Sequence, residues 1–361
     1  MARAMALAEK GRTITSPNPF VGCVIVNGGC IVGEGFTQAG GRPHAEAEAL
    51  AGAGARARGA TAYVTLEPCS DRPHMRGPAC ANLLAEAGVA RVVAAIGDPN
   101  PHIDGRGVAR LAGAGIRVDI GLMEEAVRVQ LRAFLARVTR GRPWVTTKIA
   151  ASLDGRTALQ SGQSQWITGP AARRDVHRLR SEACAMLTGI GTVKQDDPQL
   201  TVRDVPCTRP PWRVLIDPKL EVPDAARLLA GGKVLVATLD ANGARADALR
   251  ARGIEVLAVP ADAAIAERRK LDLAALMRVL GGRGFNQVMV ETGSRLNASL
   301  LGAGMVDEIV GYFAPSLLGD TAQGMFALPV LATLDAKMRL QVTDTRRIGE
   351  DWRVTAQVLH R

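Results

Sequence analysis

Short runs of β-branched and other apolar residues recur along this 361-residue chain, with helix-compatible segments between most of them. V-G-C-V-I-V at 21–26 reads as a buried strand, N-G-G at 27–29 as a hairpin turn, and 30–35 as the returning strand. A helix is expected from near Pro43 to about 52, a strand over 61–66, and a helix over 79–87 that stops at Gly88. A strand at 91–96, a helix near 107–114, a strand at 116–120 and a helix from Glu124 to about Val138 complete this part. Such alternation implies a largely parallel sheet flanked by helices. T-R-G-R-P at 139–143 reads as a linker. The pattern then resumes. A strand opens at Trp144, and a helix covers 170–182 with Pro170 in its first turn. A short strand at 185–188 leads into G-I-G-T. Further strands are expected at 213–217, 233–238, 254–259, 287–291 and 307–313, and helices at 243–252, 271–280 and 294–302. The expectation is two α/β domains, 1–142 and 143–361.

With 47% hydrophobic and 22% charged residues, the chain is neither disordered nor collagen-like. No apolar run approaches the roughly 18 residues of a membrane span. The first six residues resemble a signal n-region, but Glu9 and Lys10 interrupt the apolar run. A cytoplasmic protein without membrane partners is expected. Six cysteines are too sparse for a disulfide scaffold. Cys23, Cys30, Cys184 and Cys207 read as ordinary small core residues, whereas Cys69 and Cys80 stand in a pattern. The net charge of +10 is spread along the chain with no basic block, which suits phosphorylated small molecules. Stacking platforms for nucleic acid need aromatic residues, and these make up only 3%. No nucleic-acid partner is expected.

The most specific pattern is P-H-A-E at 43–46 followed by E-P-C at 67–69. One His and two Cys offer a nitrogen and two sulfurs to tetrahedral Zn²⁺, and leave a fourth position for water. H-x-E followed by P-C-x-x-C is the signature of zinc-dependent deaminases, with the Glu as general acid/base. Here His44, Cys69 and Cys80 are the candidate ligands and Glu46 the candidate acid/base. Ten residues, instead of two, separate the second cysteine, Cys80, from Cys69. The intervening S-D-R-P-H-M-R-G-P-A contains two arginines, suited to phosphate recognition. A closed structural zinc site, or a set of core residues, is the alternative for this trio. Asn18, in S-P-N-P, reads either as a base-edge contact or as a turn residue.

In these stretches the sequence resembles the bifunctional deaminase/reductases of riboflavin biosynthesis. T-S-P-N-P-F-V-G-C-V-I-V, P-H-A-E, A-Y-V-T-L-E-P-C-S and G-V-A-R-V-V-A-A-I-G-D-P-N-P carry the resemblance in the first part. K-I-A-A-S-L-D-G-R-T-A, S-Q-W-I-T-G and D-D-P-Q-L-T-V-R carry it in the second. It implies a cytidine-deaminase-like α/β/α domain followed by a dihydrofolate-reductase-like α/β domain. The loop after P-C-S departs from the family by two extra residues, with Asp71 where a histidine is usual and Ala79 in place of a proline. Arg76 is the expected surviving basic contact to substrate.

For the second domain no G-x-G-x-x-G follows a strand, so the Rossmann fingerprint is absent. Gly-containing turns at helix starts, G-I-G-T at 189–192 and E-T-G-S-R-L-N-A at 291–298, can still face phosphate. The resemblance implies that Ala150, Trp166, Thr192, Asp196 and the turn Gly293, Ser294, Arg295, Leu296, Asn297, Ala298 and Ser299 line an NADPH site. It implies that Ser164, Arg180, Leu200, Arg203 and Glu291 hold a ribosyl phosphate. Lys148 and Asp196 are the candidate proton donors. The reading is a zinc- and NADPH-dependent enzyme that acts on a phosphorylated pyrimidine. It first deaminates the diaminopyrimidinone ribosyl phosphate and then reduces the ribose, and the family implies a homo-oligomer. The alternatives are a nucleic-acid or nucleoside base deaminase with a fused domain, and a reductase whose deaminase half is an inactive zinc scaffold.

Overall fold

A computed structural model describes residues 1–71, 77–101, 103–263 and 270–360. The chain divides into two compact units, Met1–Gly141 and Arg142–Arg361. In the first unit the described elements are α1 (Ala2–Ala8), β1 (Gly22–Asn27), β2 (Cys30–Phe36), α2 (Ala45–Ala53), β3 (Thr61–Leu66), α3 (Cys80–Glu86), β4 (Arg91–Ile96), α4 (Arg106–Gly113), β5 (Arg117–Ile120), α5 (Glu124–Gln130) and α6 (Arg132–Arg140). The strands form one sheet in the order β2-β1-β3-β4-β5. β3, β4 and β5 run parallel, whereas β1 is antiparallel to both of its neighbours. The sheet is therefore mixed, not largely parallel as the alternation implied. The crossover helix α2 does join two strands of one direction, β2 and β3, but β1 lies between them.

Two glycines let helices approach this sheet. A Cβ on Gly22 of β1 would sit 1.9 Å from the Ala4 carbonyl oxygen of α1, and one on Gly35 of β2 would sit 2.2 Å from that of Ala45 in α2. The core between sheet and helices includes Ile25, Val64, Leu84, Ile96 and Leu111. The single helix expected from Glu124 breaks at Leu131, whose ψ of 10° leaves the α region while its side chain stays fully buried. Thr139 and Arg140 belong to α6, so the expected linker is shorter than 139–143. Cys30 is exposed on the hairpin and is not a core residue, because it begins the edge strand at the turn; Cys207 is half-buried, and Cys23 and Cys184 are buried.

The second unit contains β6 (Trp144–Ser152), β7 (Arg156–Ala158), α7 (Pro170–Glu182), β8 (Ala185–Gly189), α8 (Ile190–Asp196), β9 (Trp212–Ile216), β10 (Val234–Thr238), α9 (Ala244–Ala251), β11 (Glu255–Ala258), α10 (Leu273–Gly282), β12 (Gln287–Val290), α11 (Ser294–Gly302), β13 (Glu308–Ala314), β14 (Gln323–Gly324), β15 (Arg339–Ile348) and β16 (Asp351–Leu359). Among the described residues one sheet runs β11-β10-β9-β8-β12-β6-β13-β16-β15. From β11 to β13 every pairing is parallel, and the last two are antiparallel. Apolar clusters pack this unit, one around Leu187, Val214 and Val290, another around Met186, Leu215 and Tyr312. The chain passes from β6 to β8 and onward to one side, while β12 returns between them and β13 lies beyond β6. The carboxyl ends of β6, β8 and β12 thus lie side by side, the place where ligands bind in open parallel sheets.

The close approach at Gly22 generates a stability prediction. Gly22→Ala should lower the stability of the first unit by about 3 kcal/mol. Gly113→Ala, whose added carbon meets nothing within 4 Å, should be neutral or stabilising by up to about 1 kcal/mol. Denaturant unfolding followed for both variants reads this; equal midpoints would contradict the packing described.

Candidate functional sites

In the first unit the chain places His44 immediately before α2, Cys69 three residues past β3, and Cys80 as the first residue of α3. The His44 Nδ1, Cys69 Sγ and Cys80 Sγ all lie within 4.8 Å of one another. Nδ1 is 3.2 Å from Cys80 Sγ and 3.5 Å from Cys69 Sγ. Ligands at zinc's usual bond lengths and tetrahedral angle would be about 3.6 Å apart, so the trio fits Zn²⁺ without rearrangement. The hydrogen bond from the Cys80 thiol, helped by His44 and by the Cys80 backbone N–H at 3.3 Å, lowers the Cys69 thiol to about 4 against the effect of burial. Cys80, the donor of that pair, is pushed up. A thiolate beside a His is the donor chemistry that a borderline-soft cation selects.

Glu46 stands in the first turn of α2, only 3% exposed, and burial raises its carboxyl above the ordinary range. That is the shift a group needs to exchange protons near neutral pH. The Asn18 amide donates to the Gly40 carbonyl at 3.3 Å, so it rests on the turn that leads to His44. Asp71 accepts from Asn82 of α3 at 2.8 Å, which ties down the start of the long loop. Arg76, the expected basic contact, lies outside the described residues, as does His74.

The motif reading missed the role of Glu67. Its buried carboxylate accepts four backbone N–H groups: Asp98 and Gly105 at Oε2, Gly107 and Val108 at Oε1, all at 3.1–3.2 Å. It caps the start of α4 and holds the segment whose Ile103 packs on Cys69 and Cys80. Glu67 therefore sets the backdrop of the metal cluster without touching its donors.

In the second unit a cavity of about 600 Å³ opens at the carboxyl ends of β6, β8 and β12. Glu291 follows β12. Its Oε1 accepts from Arg180 Nε at 2.6 Å, and its Oε2 accepts from Arg180 Nη2 at 2.9 Å and from Lys148 Nζ at 3.4 Å. Burial alone would raise this carboxyl; Arg180 and Lys148 more than reverse it and hold it well below the usual range. The third guanidinium nitrogen of Arg180 donates to the Thr201 carbonyl at 3.0 Å. Ser164 donates to Asp196 at 3.1 Å. Arg173 stacks its guanidinium 4.6 Å from the centre of the exposed Trp166 ring.

Ala150, Ser164, Trp166, Arg180, Thr192, Asp196, Leu200, Arg203, Glu291, Gly293, Ser294 and Asn297 line this one cavity. Arg295, Leu296, Ala298 and Ser299 do not. Arg295 is exposed, Leu296 packs on the core, and Ser299 donates back to the Arg295 carbonyl within α11. Among the described residues the start of α11 carries no side-chain cap, and the buried Asn297 Oδ1 meets no partner. Uncapped N–H groups with a glycine at the N-cap fit a nucleotide phosphate. G-I-G-T, expected as a Gly-containing turn at a helix start, opens α8, which brings Thr192 within 3.1 Å of the Gly293 N–H.

These geometries agree with comparison to known proteins. Residues 1–96 match the family described as the cytidine and deoxycytidylate deaminase zinc-binding region, and residues 143–354 match the RibD C-terminal domain. The riboflavin biosynthesis protein RibD of Escherichia coli is 45% identical over 97% of this chain and 96% of its own. The solved structure of Acinetobacter baumannii RibD superposes with a TM-score of 0.90 at 38% identity, covering 99% of this chain and 98% of that one. The diaminohydroxyphosphoribosylaminopyrimidine deaminase/5-amino-6-(5-phosphoribosylamino)uracil reductase of Thermotoga maritima superposes at 0.85 with 32% identity, covering 99% and 97%.

Glu67→Gln should be costly although it is nearly isosteric. Its NH₂ group would face two backbone N–H donors, leaving buried donors unpaired at about 1–3 kcal/mol. Denaturant unfolding of the zinc-loaded variant measures it, and a wild-type midpoint would refute the anchoring role.

Proposed function

This chain belongs to the RibD family of riboflavin biosynthesis, and from that membership we propose how its residues divide the work. The protein is a zinc-dependent deaminase and an NADPH-dependent reductase in one chain. It deaminates 2,5-diamino-6-ribosylamino-4(3H)-pyrimidinone 5′-phosphate and then reduces the ribosyl group to ribityl. The carrying observation is the open His44–Cys69–Cys80 trio with the buried Glu46 carboxyl two residues from His44. A structural zinc site usually has four protein ligands, and among the described residues this cluster offers three. The domains are assigned as 1–142 for the deaminase and 143–361 for the reductase.

His44, Cys69 and Cys80 would hold Zn²⁺, which would lower the pKa of a bound water towards neutrality. Glu46 takes a proton from the attacking water and hands it to the departing amine. Asn18 orients the pyrimidine, and Arg76 meets its phosphate end. A bound NADPH would supply hydride chemistry in the second site, towards C1′ of the open, imine-like ribosylamino group. Ala150, Trp166, Thr192, Asp196 and the Gly293, Ser294 and Asn297 edge of α11 hold the nucleotide. Ser164, Arg180, Leu200, Arg203 and Glu291 hold the ribosyl phosphate. Of the two candidate proton donors, Lys148 fits better. Its ammonium lines the cavity beside Glu291, whereas Asp196 serves as an acceptor for Ser164.

The expected homo-oligomer has a natural seam in the second unit. β15 ends its sheet with Leu340 and Val342 exposed, the kind of unpaired apolar edge that a second copy covers. A cytoplasmic setting, which keeps thiols reduced, suits the Cys69 and Cys80 ligands. The substrate is a small molecule; no stacking surface for nucleic acid is proposed.

Glu46→Gln should lower ammonia release by about 10²–10⁴-fold. Reduction of the supplied deaminated intermediate should stay near wild type. Parallel assays of the two half-reactions on one preparation check this, and a joint fall of both rates would contradict separate sites.

A further inference from the structure

The reductase cavity contains an imidazole to which the assignment above gives no role. His177 lies on α7, three residues before Arg180, and lines the cavity while only 6% exposed. Its Nδ1 accepts the backbone N–H of Arg203 at 3.0 Å. A ring nitrogen that accepts a hydrogen bond carries no proton, so in the neutral ring the proton sits on Nε2. Burial keeps the ring neutral, aided by the nearby Arg180 and Arg203 cations, and only partly opposed by Asp204 and Glu291. Among the described residues Nε2 meets no partner.

The surrounding donors are largely committed. Each guanidinium nitrogen of Arg180 donates to Glu291 or to the Thr201 carbonyl. Arg203 Nη1 donates to Gln199 and Thr201, and the Arg203 backbone N–H is taken by His177 itself. Leu200 and Asp204 both adopt left-handed backbone, at φ 51° and 63°, so the segment between them is sharply folded against α7. A neutral ring fixed by this segment, with an uncommitted N–H beside two arginines, is built to meet an anionic oxygen.

We infer that His177 donates from Nε2 to the 5′-phosphate of the ribosyl substrate, and so contributes to the reductase's selection of the phosphorylated over the dephosphorylated substrate. The inference rests on the assignment of this cavity to the reductase's substrate. The two ring nitrogens have separable tasks. His177→Asn puts an amide oxygen near the Nδ1 position, which keeps the contact to Arg203 and removes the donor. His177→Gln puts an amide nitrogen near the Nε2 position, which keeps the donor and removes the contact to Arg203.

The test is steady-state reduction by NADPH of the deaminated intermediate and of the same compound lacking its 5′-phosphate, compared as a ratio of kcat/KM. Wild type should prefer the phosphorylated compound. His177→Asn should lose about tenfold or more of that preference, through a higher KM for the phosphorylated compound with kcat little changed. Its kcat/KM for the dephosphorylated compound should match wild type, and His177→Gln should retain the preference. If His177→Asn keeps the wild-type ratio, or both compounds lose equally in it, the ring merely pins the loop and the inference falls. If wild type itself shows no preference, the assignment of the cavity falls first and takes the inference with it.

Discussion

A parallel sheet delivers the carboxyl ends of its strands to one side, and each unit builds its chemistry there. β3 ends at Leu66, and Glu67, Pro68 and Cys69 follow at once. β12 ends at Val290, with Glu291, Thr292 and Gly293 next. β8 runs into α8, which carries Thr192 and Asp196. In each case a rigid strand sets the position of the first functional residue, and the helix start that follows supplies oriented N–H groups. In the first unit the glycines of β1 and β2, Gly22 and Gly35, allow helices to approach the sheet closely.

Buried charge is the cost of such sites, and the two units meet it differently. Among the described residues Glu67 is satisfied by backbone, with four N–H donors. Glu291 is satisfied by side chains, a bidentate Arg180 and the Lys148 ammonium. A buried ion pair contributes little net stability, but removal of one partner strands the other at several kcal/mol. The Arg180–Glu291 pair therefore fixes a geometry: it holds a carboxylate ionised at the cavity wall, with the Lys148 ammonium beside it. Arg180, one of the residues expected to hold the substrate, donates through each guanidinium nitrogen to the site's own carboxylate or to the Thr201 carbonyl.

The candidate metal cluster was legible because its residue types and order are rare: His and Glu two apart at a helix start, then Pro-Cys after a strand. Spacing within a motif carries that information. Glu67 was invisible in its role, since its partners stand 31–41 residues away and are backbone groups, which leave no trace in side-chain pattern. The Arg180–Glu291 pair spans 111 residues, and types alone did not show that they meet each other. A contiguous run from Gly293 to Ser299 was read as one lining. On a helix, residues three apart share a face while those between turn away, so Ser294 and Asn297 reach the cavity and Arg295, Leu296, Ala298 and Ser299 do not. The hairpin of β15 and β16 went unread because charges interrupt its apolar positions. β15 is exposed along nearly its whole length, and an exposed strand need not carry a buried face. β1 lying between β2 and β3 was likewise beyond local pattern, which predicts crossovers but not what is threaded between them.

A RibD-family chain deaminates first and reduces second, with water and zinc in one site and NADPH in the other. The direct measurement supplies the diaminopyrimidinone ribosyl phosphate to protein loaded with one equivalent of zinc, and follows ammonia with and without NADPH. The account predicts ammonia release without NADPH, followed by NADPH oxidation in proportion once the cofactor is added. Absence of ammonia, with NADPH oxidation only when the deaminated intermediate is given, would contradict it and leave a reductase joined to an inactive zinc-binding unit.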